Sequence, residues 1–278
     1  MPHKHPSSTY ALTLLEVTDR LSHKAEVEGV ILVGSAVEDA MTPVSDYDLV
    51  IVLKESPMPL HVGVTSIDGR FADLVFHTTT QVEEFLAATK PFSFFEWTGR
   101  LVGWLEVGEI LFDRSGLLRQ AQAKAHSGAW IEDDPAGDAF HAWNGVNYNL
   151  AVARRLVAAK DPLYLQTLDL RMALYAPADL FFNYFRARHL RWNGDKQAIR
   201  YLKAHDPDYL VLFQRFVSEQ DRTQKFRLYE QLAVRTLEPV GDLWADGDTV
   251  IMPDAKIVTA EMEQQALAFW EHLIQQEQ

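Results

Sequence analysis

The sequence contains no cysteine among its 278 residues. A disulfide framework, a thiolate nucleophile and a cysteine metal site are therefore excluded. Long apolar runs are missing as well. The run over residues 12–15 is far too short to span a bilayer, and the N-terminal segment lacks the apolar core of a signal peptide. We expect a cytoplasmic protein with no membrane partner.

Positive charge is scarce, because 26 lysines and arginines stand against 39 aspartates and glutamates, for a net charge of −13. A protein that binds nucleic acid over an extended surface needs a basic face to displace the counterions of the phosphate backbone. The charge balance therefore argues against a nucleic-acid partner and is compatible with a small acceptor, especially a cationic one. With 47% hydrophobic residues, the chain can form one large globular domain or two ordinary ones.

The most informative stretch covers residues 30–54. It begins with an apolar, mostly β-branched segment that is typical of a buried strand. Gly34 follows and allows a tight turn that a ligand can approach closely. Ser35 then adds a hydroxyl and a backbone N–H at the predicted start of a short helix, where phosphate is favoured.

Two carboxylates, Asp46 and Asp48, stand at the start of the next predicted strand. Side chains alternate along a strand, so both carboxylates point to the same side. Like charges on one face are costly unless a cation lies between them, and Mg²⁺ prefers such oxygen ligands. A third acid, Asp73, interrupts an otherwise apolar strand, where an unpaired carboxylate is expensive. The alternative interpretation is a set of solvated acids at a strand end that bind no metal.

The combination of Gly34-Ser35, a spacer, and Asp46-Tyr47-Asp48-Leu49 resembles the signature of the DNA polymerase beta-like nucleotidyltransferase superfamily. The resemblance covers residues 27–113. It implies an α/β catalytic domain in which Asp46, Asp48 and Asp73 bind Mg²⁺ and take part in catalysis. Gly34 and Ser35 would hold the phosphates of a nucleoside triphosphate. ATP is the expected nucleotide, although no short motif selects the base.

Two further roles, triphosphate binding and the general base, each have more than one candidate residue. Arg70 is the basic residue that we predict to bind the triphosphate, with Arg100 and Lys54 as alternatives. The general base is Asp73 or a nearby glutamate. Glu96 lies among aromatic residues, where burial would raise its pKa toward a useful value, and the antibiotic-modifying relatives use a glutamate in this way. The alternative is a partly exposed glutamate at a helix end without a catalytic role.

The second half of the chain shows no strand pattern, and its sequence predicts a series of helices. A Gly-, Asp- and Pro-rich loop over residues 126–137 marks the predicted boundary. We therefore predict an α+β protein, with a mixed-sheet nucleotidyltransferase domain over residues 1–126 and an all-helical domain over residues 138–278. The helical part resembles that of aminoglycoside and lincosamide nucleotidyltransferases, where it closes over the acceptor and in some cases dimerises, so a homodimer is one expectation.

The sequence thus predicts Mg²⁺-dependent transfer of a nucleoside monophosphate to a hydroxyl of a small molecule, such as an aminoglycoside-like antibiotic. Two alternatives stay open. One is a non-catalytic nucleotide-binding regulator or a partner module of the toxin–antitoxin type. The other is nucleotidylation of a protein.

Overall fold

A computed structural model describes residues 12–37, 41–56, 58–93, 96–132, 134–192, 194–245, 247–251 and 259–274. The chain divides into two compact units, Met1–Asp133 and Asp134–Gln278. The predicted α+β class, with a mixed sheet followed by helices, is confirmed.

The N-terminal unit is built on a five-stranded sheet with the order β3-β4-β2-β1-β6. Strand β2 runs parallel to β4, whereas the other neighbouring pairs are antiparallel. The strands are β1 (Val27–Val33), β2 (Tyr47–Leu53), β3 (Val62–Ile67), β4 (Arg70–Thr78) and β6 (Glu109–Asp113). A separate pair consists of the two-residue strands β5 (Phe92–Ser93) and β7 (Ile131–Glu132).

Each face of the sheet has its own apolar core. Helix α1 (Leu14–Ser22) packs on one face through Leu14, Val17 and Leu21. The other face is covered by α2 (Thr79–Ala87), α3 (Trp97–Val107) and α4 (Leu117–Ala125). Because side chains alternate along a strand, Val50 and Val52 of β2 enter this second core, and Asp48 lies on the same face.

Local sequence explains how several of these elements begin and end. Asp68 and Gly69 form the tight turn between β3 and β4, and both residues have positive φ. The Asp113 carboxylate caps α4, because it accepts N–H groups from Gly116 and Arg119 at 3.0 Å each.

The second unit is helical and surrounds one large apolar core. Its helices are α5 (Pro135–Val157), α6 (Pro162–Arg186), α7 (Asp195–His205), α8 (Pro207–Ser218), α9 (Arg222–Leu237) and α10 (Ala260–Ile274). Helix α6 continues through Pro177, although proline commonly breaks or kinks a helix. Burial of Ala176 and Leu180 on either side of the proline offsets the backbone hydrogen bond that it removes.

No helix in the described part of the chain combines the length and the apolar character that crossing a bilayer requires.

Candidate functional site

Three carboxylates meet at one end of the central sheet. Asp48 and Asp73 are register partners on the parallel strands β2 and β4, so their side chains stand next to each other on the same face. Asp46 directly precedes β2. One oxygen from each of Asp46, Asp48 and Asp73 lies within 4.8 Å of the others, and all three residues are partly buried.

A glycine completes this end of the sheet from the neighbouring strand. Gly34 follows β1 with φ of +74° and begins a 3₁₀ turn over Gly34–Ala36. A Cβ atom at this position would overlap with the Asp48 carboxylate. Glycine is therefore required here both for the left-handed backbone and for the close approach of Asp48.

The helical segment that follows Gly34 is shorter than predicted. Because the 3₁₀ turn has only three residues, it carries little of the macrodipole that a longer helix offers to phosphate. The chemical groups at this turn are the backbone N–H groups and the hydroxyl of the partly buried Ser35.

The donor set fits a hard divalent cation. Carboxylate oxygens are the ligands that Mg²⁺ prefers, and three negative charges within a few ångströms repel one another without a cation. Asp46, Asp48 and Asp73 are thus the residues that would hold the metal.

Arg70 stands at the start of β4, and its guanidinium holds the loop that leads to Asp46. Its Nη1 donates to the carbonyl oxygens of Thr42 at 2.6 Å and Ser45 at 3.1 Å. The buried Ser45 closes the same loop, since its Oγ accepts the Thr42 N–H at 2.9 Å. The structure thus gives Arg70 a contact with the acid-bearing loop, which the sequence did not predict.

Glu96 is not part of the acid group. It is exposed and occupies the N-cap position of α3, where its side chain makes no capping hydrogen bond. Of the two environments predicted for Glu96, the structure thus has the exposed glutamate at a helix end and not burial among aromatic residues. Two of the aromatic neighbours behind that prediction, residues 94 and 95, lie outside the described part of the chain.

The two alternative cations contact other groups. The Nζ of Lys54 pairs with the Glu28 carboxylate at 2.9 Å, beyond the opposite end of β2. The guanidinium of Arg100 lies 5.7 Å from the centre of the Trp97 ring.

An aromatic stack lies farther along β4. The ring of Trp97 stacks on His77 at 4.9 Å and on His61 at 4.2 Å between centroids. Burial lowers the pKa of His77 to about 4, and its Nδ1 is 3.2 Å from the Oε1 of Gln81. His77 is therefore a neutral residue of the sheet face at neutral pH.

Residues 14–90 match the family model described as a nucleotidyltransferase domain. This range includes Gly34, Ser35 and all three acids. The predicted nucleotidyltransferase resemblance is thereby confirmed, and it supports nucleotidyl transfer as the class of reaction.

Comparison with solved structures gives distant likenesses. The chain is similar to a nucleotidyltransferase-like protein from Exiguobacterium sibiricum 255-15, at 13% identity over 80% of this chain and 72% of that chain, with a TM-score of 0.42. It is also similar to spectinomycin adenyltransferase AAD(9) from Enterococcus faecialis, solved with ATP and spectinomycin. The identity is 12% over 80% of this chain and 96% of that chain, and the TM-score is 0.34. No curated protein matches the sequence.

Sequence reasoning also missed a group of exposed apolar side chains beside the acids. Val62 and Val64 on β3 and Phe71 on β4 are all exposed. A signal was present, because both valines alternate with smaller residues in a strand next to the Asp73 strand.

Proposed function

We propose that this protein transfers a nucleoside monophosphate from a nucleoside triphosphate to a hydroxyl group of a small molecule, with Mg²⁺ as cofactor. The observation that carries the proposal is the group of three carboxylates gathered beside the Gly34 turn. The match of residues 14–90 to a nucleotidyltransferase domain supports the same reaction class.

The reaction forms a bond between the acceptor oxygen and the α-phosphorus and breaks the bond between that phosphorus and the bridging oxygen of pyrophosphate. Bound Mg²⁺ would supply charge neutralisation and hold the entering and leaving oxygens in line. Asp46, Asp48 and Asp73 hold the metal in this proposal. Backbone N–H groups and the Ser35 hydroxyl of the Gly34 turn bind the leaving phosphates.

The acceptor hydroxyl must also lose its proton. We assign that proton to Asp73 or to the exposed Glu96, and both belong to the N-terminal unit. Arg70 is proposed to contact the triphosphate and, through the loop that it holds, to position Asp46 for the metal.

The co-substrate is ATP in this proposal, and the acceptor is a small hydroxyl compound of the aminoglycoside-like kind that the sequence resemblance suggests. Self-association into a homodimer is part of the same proposal. A location in the cytoplasm is consistent with these substrates.

The test is release of pyrophosphate from each nucleoside triphosphate in the presence of Mg²⁺ and a panel of aminoglycosides, lincosamides and other polyols. The control is the double variant Asp46→Asn/Asp48→Asn, which keeps the side-chain size and removes two charges. We expect acceptor-dependent release that the double variant lacks, and EDTA should abolish it.

Calorimetric titration with each Mg²⁺-nucleotide separates the remaining outcomes. Binding without release from any acceptor would point to the regulatory module that the sequence leaves open. If neither binding nor release is observed, the proposed function is wrong.

A further inference from the structure

We propose that the acceptor lies with an apolar face on a surface formed by Val62, Val64 and Phe71, here called the β3 strip. This inference rests on the proposed function, and it names the chemistry of the acceptor beside its reacting hydroxyl.

The β3 strip shares a sheet face with the acids. Val64 is the register partner of Asp73 in the antiparallel pair of β3 and β4, and Val62 is the partner of Val75. Directly opposed residues of neighbouring strands point to the same side of the sheet. Phe71 lies two residues before Asp73 on β4, so it also belongs to this side.

All three side chains are open to solvent although they are large and apolar. The exposed fractions are 62% for Val62, 68% for Val64 and 57% for Phe71. The same sheet face is covered by α2, α3 and α4 farther from the acids, where Val50 and Val52 are buried. Exposed apolar side chains that form a contiguous group next to polar residues are typical of a ligand surface.

The strand order determines which substrate reaches the β3 strip. In the order β3-β4-β2-β1, the Gly34 turn follows β1 on one side of Asp48, and Val64 lies on the other side of Asp73. Phosphoryl transfer places the attacking and leaving oxygens on opposite sides of the phosphorus. If pyrophosphate leaves at the Gly34 turn, the acceptor must approach from the β3 side.

This placement defines the acceptor class. The reacting hydroxyl has to reach Asp73, and the adjacent part of the molecule then covers Val64 and Phe71. The strip therefore favours a hydroxyl compound with an apolar or aromatic face next to the reacting group. The aromatic stack adjoins this surface, because His61 directly precedes Val62 and contacts Trp97.

Two neutral probes with the same hydroxyl groups test the inference, 4-nitrophenyl β-D-glucopyranoside and methyl β-D-glucopyranoside. Their dissociation constants are measured by NMR titration of the full chain with Mg²⁺ and a non-hydrolysable ATP analogue. We expect the aromatic probe to bind about tenfold more tightly, because only its ring removes apolar surface of the strip from water. The double variant Val64→Ser/Phe71→Ser should lose that difference.

Leu15→Ser is the matched control, because Leu15 is an exposed apolar residue of the same unit (79% exposed) on α1, which packs on the opposite face of the sheet. This variant should keep the tenfold difference. Urea unfolding and calorimetric binding of Mg²⁺-nucleotide confirm that each variant is folded and binds nucleotide.

Equal binding of the two probes, or a difference that survives in the double variant, would overturn the inference. A dimer in sedimentation experiments that the double variant dissociates would assign the β3 strip to a second copy instead. Failure of the unaltered protein to bind any Mg²⁺-nucleotide is a separate result, since it refutes the proposed function itself.

Discussion

The two ends of the central sheet differ in the surroundings of their acidic side chains. At one end Glu28 is buried, and its carboxylate is neutralised from within the fold by Lys54 at 2.9 Å and by the Ser115 N–H at 2.9 Å. Burial alone would raise the pKa of Glu28, but the hydrogen bonds from Ser115 and Lys54 bring it below the ordinary value. At the other end Asp46, Asp48 and Asp73 are gathered within 4.8 Å of one another.

The difference distinguishes an acid that stabilises the fold from a group of acids that would hold a metal in the proposed function. Glu28 forms hydrogen bonds and an ion pair with groups of its own chain, so its charge contributes to folding. The three aspartates bring like charges close together, an arrangement that a bound cation would stabilise.

Among the changes outside the acid group itself, the largest expected effect comes from Gly34→Ala. The new Cβ would overlap with the Asp48 carboxylate and would also meet a backbone φ of +74° that side chains rarely adopt. We expect the displaced Asp48 to reduce turnover by about 10³-fold, a loss comparable to removing one key transition-state contact. Pyrophosphate release and calorimetric binding of Mg²⁺-nucleotide measure this effect.

Gly69→Ala is the matched control. Gly69 has a nearly equal φ of +71°, and within the described part of the chain an added Cβ would meet no atom closer than 4 Å. This variant should lose about 1 kcal/mol of unfolding free energy to backbone strain and keep its turnover. Equal losses of turnover in both variants would show that strain alone matters and that contact with Asp48 does not.

His77, near the end of β4, shows whether charge is tolerated on this sheet face away from the acids. Burial lowers the pKa of His77 to about 4, whereas an unfolded histidine titrates near pH 6.5. The folded state therefore binds fewer protons, and His77 contributes stability above pH 6.5 that is lost as the pH falls toward 4. Urea unfolding should show a loss of about 3 kcal/mol from this group over that interval.

His77→Gln removes the titration and should flatten the pH dependence between pH 6.5 and 4. Gln81 and His61 are the polar neighbours that influence the His77 ring, and both are kept in this variant. His23→Gln serves as the control, because His23 is exposed at the end of α1. A pH dependence unchanged in the His77 variant would contradict the assignment.

The two kinds of acid should respond to neutralisation with opposite signs. Glu28→Gln weakens the interactions with Lys54 and Ser115, and we expect it to destabilise the protein by about 2 kcal/mol. Asp48→Asn relieves repulsion in the metal-free protein and should raise its unfolding free energy by roughly 0.5–1 kcal/mol. Urea unfolding in EDTA compares the two.

Turnover separates the same pair in the other direction. Glu28→Gln should leave pyrophosphate release close to that of the unaltered protein when assayed below its unfolding temperature, and Asp48→Asn should abolish it. If Asp48→Asn destabilised the metal-free protein as much as Glu28→Gln does, the acid group would be a structural feature of the sheet.

Short-range signals in the sequence were sufficient for the acid end. Gly34, Asp46 and Asp48 are close in the chain, and strand alternation fixes the direction of the two aspartates. Asp73 was identified because an unpaired carboxylate in an apolar strand is energetically costly. That β2 and β4 run in parallel, which makes Asp48 and Asp73 neighbours, is a property of the tertiary fold.

The features that local sequence patterns could not predict depend on contacts between distant segments. Exposure of Glu96 depends on where α3 begins, and continuity of α6 through Pro177 depends on the helical core around it. Arg70 was recognised as a cation near the acids, but its partners Thr42 and Ser45 lie more than twenty residues earlier in the chain. No local pattern distinguishes an arginine that binds phosphate from one that binds a loop.

The smallest expected effect concerns two arginines that hold loops at opposite ends of the sheet. Arg70 donates to Thr42 and Ser45 before β2, whereas Arg114 donates to the carbonyl oxygens of Ser22 and Lys24, both at 2.7 Å, before β1. Lysine keeps the charge, but its side chain is shorter and its ammonium group does not reproduce the position of the guanidinium nitrogen that donates to both carbonyls. Arg70→Lys and Arg114→Lys should each cost about 1 kcal/mol of stability.

Only the Arg70 variant should change metal binding, because only its loop leads to Asp46. We expect the Mg²⁺ concentration for half-maximal turnover to rise about tenfold in Arg70→Lys, as for the loss of an outer partner that orients a metal ligand. Arg114→Lys should leave it unchanged. A rise in the KM for nucleotide without a change in Mg²⁺ dependence would instead assign Arg70 to direct phosphate binding. A lost phosphate contact weakens nucleotide binding at every metal concentration, whereas added Mg²⁺ compensates for a loosened loop.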